Sequence, residues 1–142
     1  MIAIVVSEFN RSITNGLLDG CLEAFKKGDF SLDQISIEYV PGAFELPSAV
    51  LRLCNNPENQ IVVALGCVVK GETDHYHYIC EAVSKGMMDV SLKVITPTLF
   101  GILTCQNMEL AIARSGNNLD KNKGYEVGES AVWLLEKRSL KE

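Results

Sequence analysis

Four short apolar runs alternate with amphipathic stretches along this chain, and that alternation limits its fold more than any other feature. The first run, Ile2-Ala3-Ile4-Val5-Val6, carries no polar residue at alternate positions. Such a run suits a strand buried on both faces. Ile35, Ile37 and Tyr39 alternate with Ser36 and Glu38, so a second strand ends near Val40, where Pro41-Gly42 breaks it. Ile61 to Val69 is the most apolar stretch and is predicted to lie centrally. A fourth strand is predicted from Val94 to Phe100, with Pro97 near its end. Between the strands the apolar spacing turns helical. Ile13, Leu17, Cys21 and Ala24 share one face, with Ser12 as the expected N-cap and Gly28 as the stop. Further helices are predicted over Glu45 to Leu53, His75 to Ser91, Thr104 to Arg114 and Tyr125 to Arg138. Pro47 is tolerated in the first turn of its helix. Strands alternating with helices predict an α/β protein: a three-layer αβα sandwich around a four-stranded parallel sheet. A length of 142 residues fits one domain over residues 1–142.

Composition removes several classes of function. Apolar residues make up 47% and charged residues 22%, so the chain reads as an ordinary soluble domain. A formal net charge of −5 opposes binding to nucleic acid through bulk charge, although a local cation can still hold a small anion. The five cysteines, Cys21, Cys54, Cys67, Cys80 and Cys105, form no C-x-x-C pair and no zinc-type spacing with histidine. They read as reduced, mostly buried thiols in a reducing cytosol. A reactive Cys67 is the alternative, because it lies near the end of the central strand. No basic segment precedes the first apolar run, and no run approaches the roughly 20 residues a bilayer span requires. A cytoplasmic protein without membrane contact is expected.

In a parallel α/β sheet, ligands bind beyond the carboxyl ends of the strands. The segments Ser7 to Arg11, Pro41 to Glu45, Lys70 to His75 and Phe100 to Thr104 follow strands and are therefore where chemistry is sought. Lys70-Gly71-Glu72-Thr73-Asp74-His75 leads into a helix start, whose free N–H groups favour an anion. Gly71 permits close approach to the backbone, Thr73 adds a hydroxyl, and His75 can exchange protons near neutral pH. A capped helix with a surface histidine accounts for the same residues. Arg114 stands before Gly116 and either complements a helix dipole or grips a phosphate. Glu45, between apolar residues, is either a helix-start acid or an acceptor for ligand hydroxyls. Phe9 is either a core aromatic or a stacking platform for a planar ring. His75 and His77 lie two apart and point to different sides of a helix, which disfavours a shared metal.

Taken together these segments resemble the lumazine synthase family. The resemblance runs from Ile2 to about Glu136 and rests on several pieces in order. They are Ser7-Glu8-Phe9-Asn10, Val40 to Pro47, Gly66 to His75, Phe100-Gly101-Ile102-Leu103-Thr104, Ala111 to Gly116, and Asn122-Lys123-Gly124. The resemblance implies a flavodoxin-like fold and condensation of 5-amino-6-(D-ribitylamino)uracil with 3,4-dihydroxy-2-butanone 4-phosphate. The product would be 6,7-dimethyl-8-ribityllumazine, with no metal or organic cofactor. It further implies that Phe9 stacks on the uracil ring, and that Ala43 with the backbone of Val68 and Val69 binds the ring edge. Phe44 belongs to the same substrate-binding segment. Asn10 and Glu45 would meet the ribityl chain. Glu72 and Thr73 would hold the phosphate opposite Arg114, and His75 would carry protons. Phe100 and Lys123 would come from an adjacent subunit, making at least a homopentamer with shared sites.

The sequence departs from the family pattern at several points. Lys70 stands where many members have arginine, and His77 where Asp or Glu is usual. Ala113 replaces a common glutamate, and Asn117 to Lys121 is longer than the usual loop. The N-terminal extension of many members is expected to be missing. Two competing readings share this fold or its ligands. An archaeal-type riboflavin synthase would need no butanone phosphate, which Gly71 to His75 with Arg114 argues against. A non-catalytic flavin- or lumazine-binding assembly protein would have no use for His75, Arg114 and Glu45 together.

Overall fold

The computed structural model describes residues 1–139; residues 140–142, the end of the expected domain, lie outside the described residues. Its sheet contains β1 (Ile2–Ser7), β2 (Ile35–Val40), β3 (Ile61–Val69) and β4 (Thr98–Cys105). The strands are all parallel, in the order β2-β1-β3-β4. The helices are α1 (Arg11–Lys27), α2 (Leu46–Cys54), α3 (His75–Lys93), α4 (Met108–Ala113) and α5 (Lys123–Ser139). The predicted sandwich and the central place of Ile61 to Val69 both hold. Among the described residues no helix is long and apolar enough to cross a membrane.

The two faces of the sheet explain the unbroken apolar runs. Ile2, Ile4 and Val6 pack with Leu17, Cys21 and Phe25 of α1 and with Val127, Ala131 and Leu135 of α5. Ala3 and Val5 face the other way, against Leu46 and Val50 of α2 and Val83, Met87 and Val90 of α3. A strand covered on both sides has no solvent face to which polar residues can alternate. The edge strand β2 is different, and leaves Ile37 and Tyr39 exposed.

Helices α1 and α5 approach so closely that glycine is required between them. A Cβ on Gly124 would stand 1.9 Å from the Leu17 carbonyl oxygen, and one on Gly128 would stand 2.6 Å from the Ala24 Cβ and 2.9 Å from the Cys21 carbonyl oxygen. The buried Asn122 seals the same contact. Its Nδ2 donates to the carbonyls of Gly16 and Gly116 at 3.1 and 3.0 Å, and its Oδ1 accepts from the Tyr125 N–H at 3.0 Å.

Several boundaries differ from the sequence reading. α1 begins at Arg11 with Asn10 at its N-cap, so Ser12 lies inside the first turn. Asn10 sits at φ 61°, ψ 49°, a left-handed conformation that asparagine tolerates better than most side chains. β4 starts at Thr98, not Val94. Val94 instead closes α3, and Pro97, which has no N–H to donate, enters only as an acceptor from Val62 at 3.0 Å. The strand consequently runs on to Cys105, placing Phe100 in mid-strand opposite Ala64. Thr104 is therefore no helix cap; the cap of α4 is Asn107, whose Oδ1 accepts from the Leu110 N–H at 2.9 Å. Finally, α5 starts at Lys123 rather than Tyr125.

Candidate active site

The strand order reverses direction between β1 and β3, and a crevice forms there at their carboxyl ends. A cavity of about 580 Å³ occupies it. Nine residues singled out from the sequence line it: Phe9, Asn10, Ala43, Phe44, Glu45, Val68, Val69, Thr73 and His75. They come from four separate segments, and the topology alone brings them together.

Each wall has a local cause. β1 pairs with β3 only as far as Val6 opposite Leu65, while β3 continues to Val69. Beyond Leu65 that edge of β3 has no strand partner. The Asn10 Nδ2 takes up the Cys67 carbonyl at 3.3 Å, and the remaining backbone groups can meet the edge of a planar ring. The Phe9 and Phe44 side chains are 71% and 61% exposed, so neither is a core aromatic. Exposed rings beside a cavity are suited to stacking. The Glu45 Oε1 accepts from the Gly42 N–H at 3.0 Å, so this carboxylate serves the turn before α2 as well as lining the cavity.

The opposite wall is the start of α3. Thr73 Oγ1 accepts from the His75 N–H at 3.3 Å, and Asp74 makes no side-chain cap. Among the described residues the backbone N–H groups of Thr73, Asp74 and Tyr76 have no protein acceptor. Open donors at the start of a 19-residue helix favour an anion. Among the described residues, its own chain neighbours aside, no atom lies within 4 Å of where a Cβ on Gly71 would stand. The fold therefore does not need glycine there, whereas a ligand approaching the loop would.

Four of the singled-out residues do not line this cavity: Glu72, Phe100, Arg114 and Lys123. Glu72 is exposed in the loop before α3, and Phe100 sits on the outer edge of the sheet. Arg114 caps the C-terminus of α4, and its carbonyl accepts from the Lys123 N–H at 2.9 Å. The Lys123 Nζ pairs with Glu126 at 3.5 Å. Conversely, sequence reasoning did not single out Tyr76 or Ile79 as part of the wall. Their spacing of three along a helix beginning at His75 is the signal that places them on one side.

Burial disfavours the thiolate at all five cysteines. Burial pushes Cys21 and Cys67 up to about 12 and Cys54 up to about 11, with Cys105 adding to the effect at Cys67. Burial also raises Cys80 and Cys105, the latter against the opposing pull of Arg114. With its residue only 2% exposed, Cys67 is poorly placed for the reactive role. Native protein at mildly alkaline pH should give little rapid reaction with a thiol-disulfide reagent, and denaturant should release all five thiols. Fast stoichiometric labelling of Cys67 in the native state would contradict this.

The sheet order is that of a flavodoxin-like α/β sandwich, with two exposed rings, an open strand edge and unpaired helix-start N–H groups gathered around the crevice at its switch point. Comparison with known proteins narrows the class. The family model for 6,7-dimethyl-8-ribityllumazine synthase matches residues 1–139. Curated proteins of that name from three strains of Coxiella burnetii are each 42% identical over 134 residues, covering 94% of this chain and 88% of theirs. The chain belongs to the 6,7-dimethyl-8-ribityllumazine synthase family.

Proposed function

We propose that this protein is the transferase that condenses 5-amino-6-(D-ribitylamino)uracil with 3,4-dihydroxy-2-butanone 4-phosphate, giving 6,7-dimethyl-8-ribityllumazine, phosphate and water for riboflavin biosynthesis. The observation that carries this reading is the cavity at the β1/β3 crevice, where aromatic platforms and unpaired β3 backbone face the free N–H groups before His75. The pyrimidine stacks on Phe9, flanked by Phe44, with its edge on Ala43, Val68 and Val69. Asn10 and Glu45 meet the ribityl chain. The phosphate rests on the helix start at Glu72 and Thr73.

Chemistry then follows from placement. The amine attacks the ketone and one water leaves as the imine forms; phosphate is eliminated, the resulting enol becomes a ketone, and the second nitrogen attacks that carbonyl, expelling a second water as the ring closes. Each step moves a proton, and His75 is the group placed to carry it. Holding two reactants in register can supply about 7–11 kcal/mol of the barrier reduction. Purified protein mixed with both substrates should develop lumazine absorbance; none with butanone phosphate present would overturn the reading. Turnover from lumazine alone would favour a riboflavin synthase instead.

The protein acts as a homo-oligomer, with a pentamer as the smallest assembly, in the cytoplasm. Phe100, Arg114 and Lys123 lie off the cavity of their own chain and would complete a neighbour's site. Exposed apolar residues near the same sheet edge, Phe100, Leu110 and Ile112 among them, support a subunit contact there. Light scattering tests this, and a fully active monomer would refute it. Arg114→Ala should raise KM for the phosphate substrate about 10- to 100-fold, the scale of a hydrogen bond to a charged group at about 1.5–3 kcal/mol. KM for the pyrimidine should stay near wild type. Equal rises in both would remove Arg114 as the phosphate holder.

A further inference from the structure

We propose that Asn10 is a positioning residue: its side chain ties the turn that carries the Phe9 ring to the open edge of β3, keeping the stacking face and the edge wall of the pyrimidine site in register. This rests on the reading above, in which Phe9 stacks on the ring while Val68 and Val69 meet its edge. It is separate from any contact of Asn10 with the ribityl chain.

The Phe9 ring is exposed, and a ring with so little packed against it is positioned chiefly by its backbone. That backbone belongs to the turn between β1 and α1. The Glu8 and Phe9 N–H groups donate to the carbonyls of Val40 and Pro41 at 2.8 and 3.0 Å. Both acceptors lie at the end of β2, on the side of β1 away from β3. Toward β3, the pairing with β1 ends at Val6 opposite Leu65. Beyond it, among the described residues, the turn's side-chain hydrogen bond to β3 runs from Asn10 Nδ2 to the Cys67 carbonyl at 3.3 Å. Cys67, Val68 and Val69 line the cavity together with Phe9 and Asn10. One amide therefore spans from the residue after the stacking ring to the residue before the edge wall.

The local geometry fits this task better than it fits helix capping. Asparagine at an N-cap usually offers its side-chain oxygen to the first N–H groups of the helix. Asn10 makes no such bond, and its backbone carbonyl alone accepts from Ile13 and Thr14 at 2.9 and 3.1 Å. It holds a left-handed backbone while its amide reaches β3. Asparagine tolerates that backbone and supplies a donor. Glycine tolerates it with no side chain, and aspartate tolerates it with no donor.

The test uses the assembled, full-length protein as wild type, Asn10→Gly, Phe9→Ala and the double variant. Each is titrated calorimetrically with 5-amino-6-(D-ribitylamino)uracil, and with 5,6-diaminouracil, the same ring without the chain, by competition. Asn10→Gly should weaken both ligands about 3- to 10-fold, the scale of one neutral hydrogen bond. Phe9→Ala should also weaken both. In the Phe9→Ala background, Asn10→Gly should add nothing, because no ring remains to be positioned. Should Asn10→Gly fail to fold, Asn10→Asp should show the same pattern. Wild-type affinities in the Asn10 variants would overturn the proposal. A loss confined to the ribityl-bearing ligand would overturn it too, leaving a chain contact alone. So would an equal loss with and without the Phe9 ring, the mark of a general structural role. Failure of wild type to bind either ligand, or wild-type affinities in Phe9→Ala, would instead remove the stacking reading, and the role of Asn10 with it.

Discussion

His75→Ala is expected to lower kcat by about 10²–10⁴-fold, the range for a positioned proton carrier, and to leave the fold intact. Both halves of the expectation come from where His75 stands. Its side chain is exposed, borders the cavity and makes no hydrogen bond to the described residues. The one contact it contributes to the loop is through its backbone N–H, which alanine keeps. α3 is held by Tyr76, Val83, Met87 and Val90, all buried. Losing an exposed side chain away from such features shifts stability by no more than about 0.5 kcal/mol. Activity and melting temperature should therefore separate cleanly. Residual turnover should survive, because orienting the two substrates belongs to other residues. His77→Ala is the matched control: this ring does not border the cavity and points to a different side of the helix, so kcat should remain close to wild type. An unchanged kcat in His75→Ala would remove the proton carrier from the mechanism, and a collapse of Tm with it would recast His75 as structural.

The largest stability effect is expected at Gly124. Alanine favours a helix over glycine by about 1 kcal/mol, so propensity alone predicts that Gly124→Ala is stabilising. Geometry reverses the sign. The added Cβ would meet three backbone atoms of Leu17: O at 1.9 Å, C at 2.6 Å and Cα at 2.8 Å. Backbone in the middle of α1 cannot step aside as a side-chain tip can, and α1 carries Leu17, Cys21 and Phe25 of the core with it. Overpacking of this kind costs about 1–3 kcal/mol and at times more. A net loss near 3 kcal/mol is expected, or a Tm lower by about 10 °C for a domain of this size. Gly71→Ala supplies the contrast. Its Cβ would enter open space, so Tm should hold while affinity for the phosphate substrate falls. A Tm in Gly124→Ala equal to wild type would mean that the two helices separate freely, and that their glycines are not what sets the spacing.

The two regions differ in how far they could be read in advance. Ile2 to Val6 and Ile61 to Val69 were legible because a strand buried on both faces must be apolar throughout, a local requirement. The fourth strand was misplaced because Val94, Ile95 and Leu99 are apolar for different reasons. Val94 and Leu99 pack against opposite faces of the sheet, whereas Ile95 is 94% exposed. Residue type points to Ser12 as the N-cap of α1, yet Asn10 takes it. Its side chain spans to Cys67, a partner 57 residues away that no local pattern reveals.

By itself, the order of apolar runs determined a parallel α/β sheet, and the motifs after each strand determined which family the chain belongs to. Both are carried by short-range pattern: periodicity for the elements, and contiguous residues for the loops. Only the tertiary structure decided that β1 stops short of β3 and so opens the cavity, that Tyr76 is buried at the start of α3 where Asp74 makes no side-chain cap, and that α1 and α5 touch through glycines. These depend on distances between residues far apart in the chain, which packing sets and local spacing does not encode.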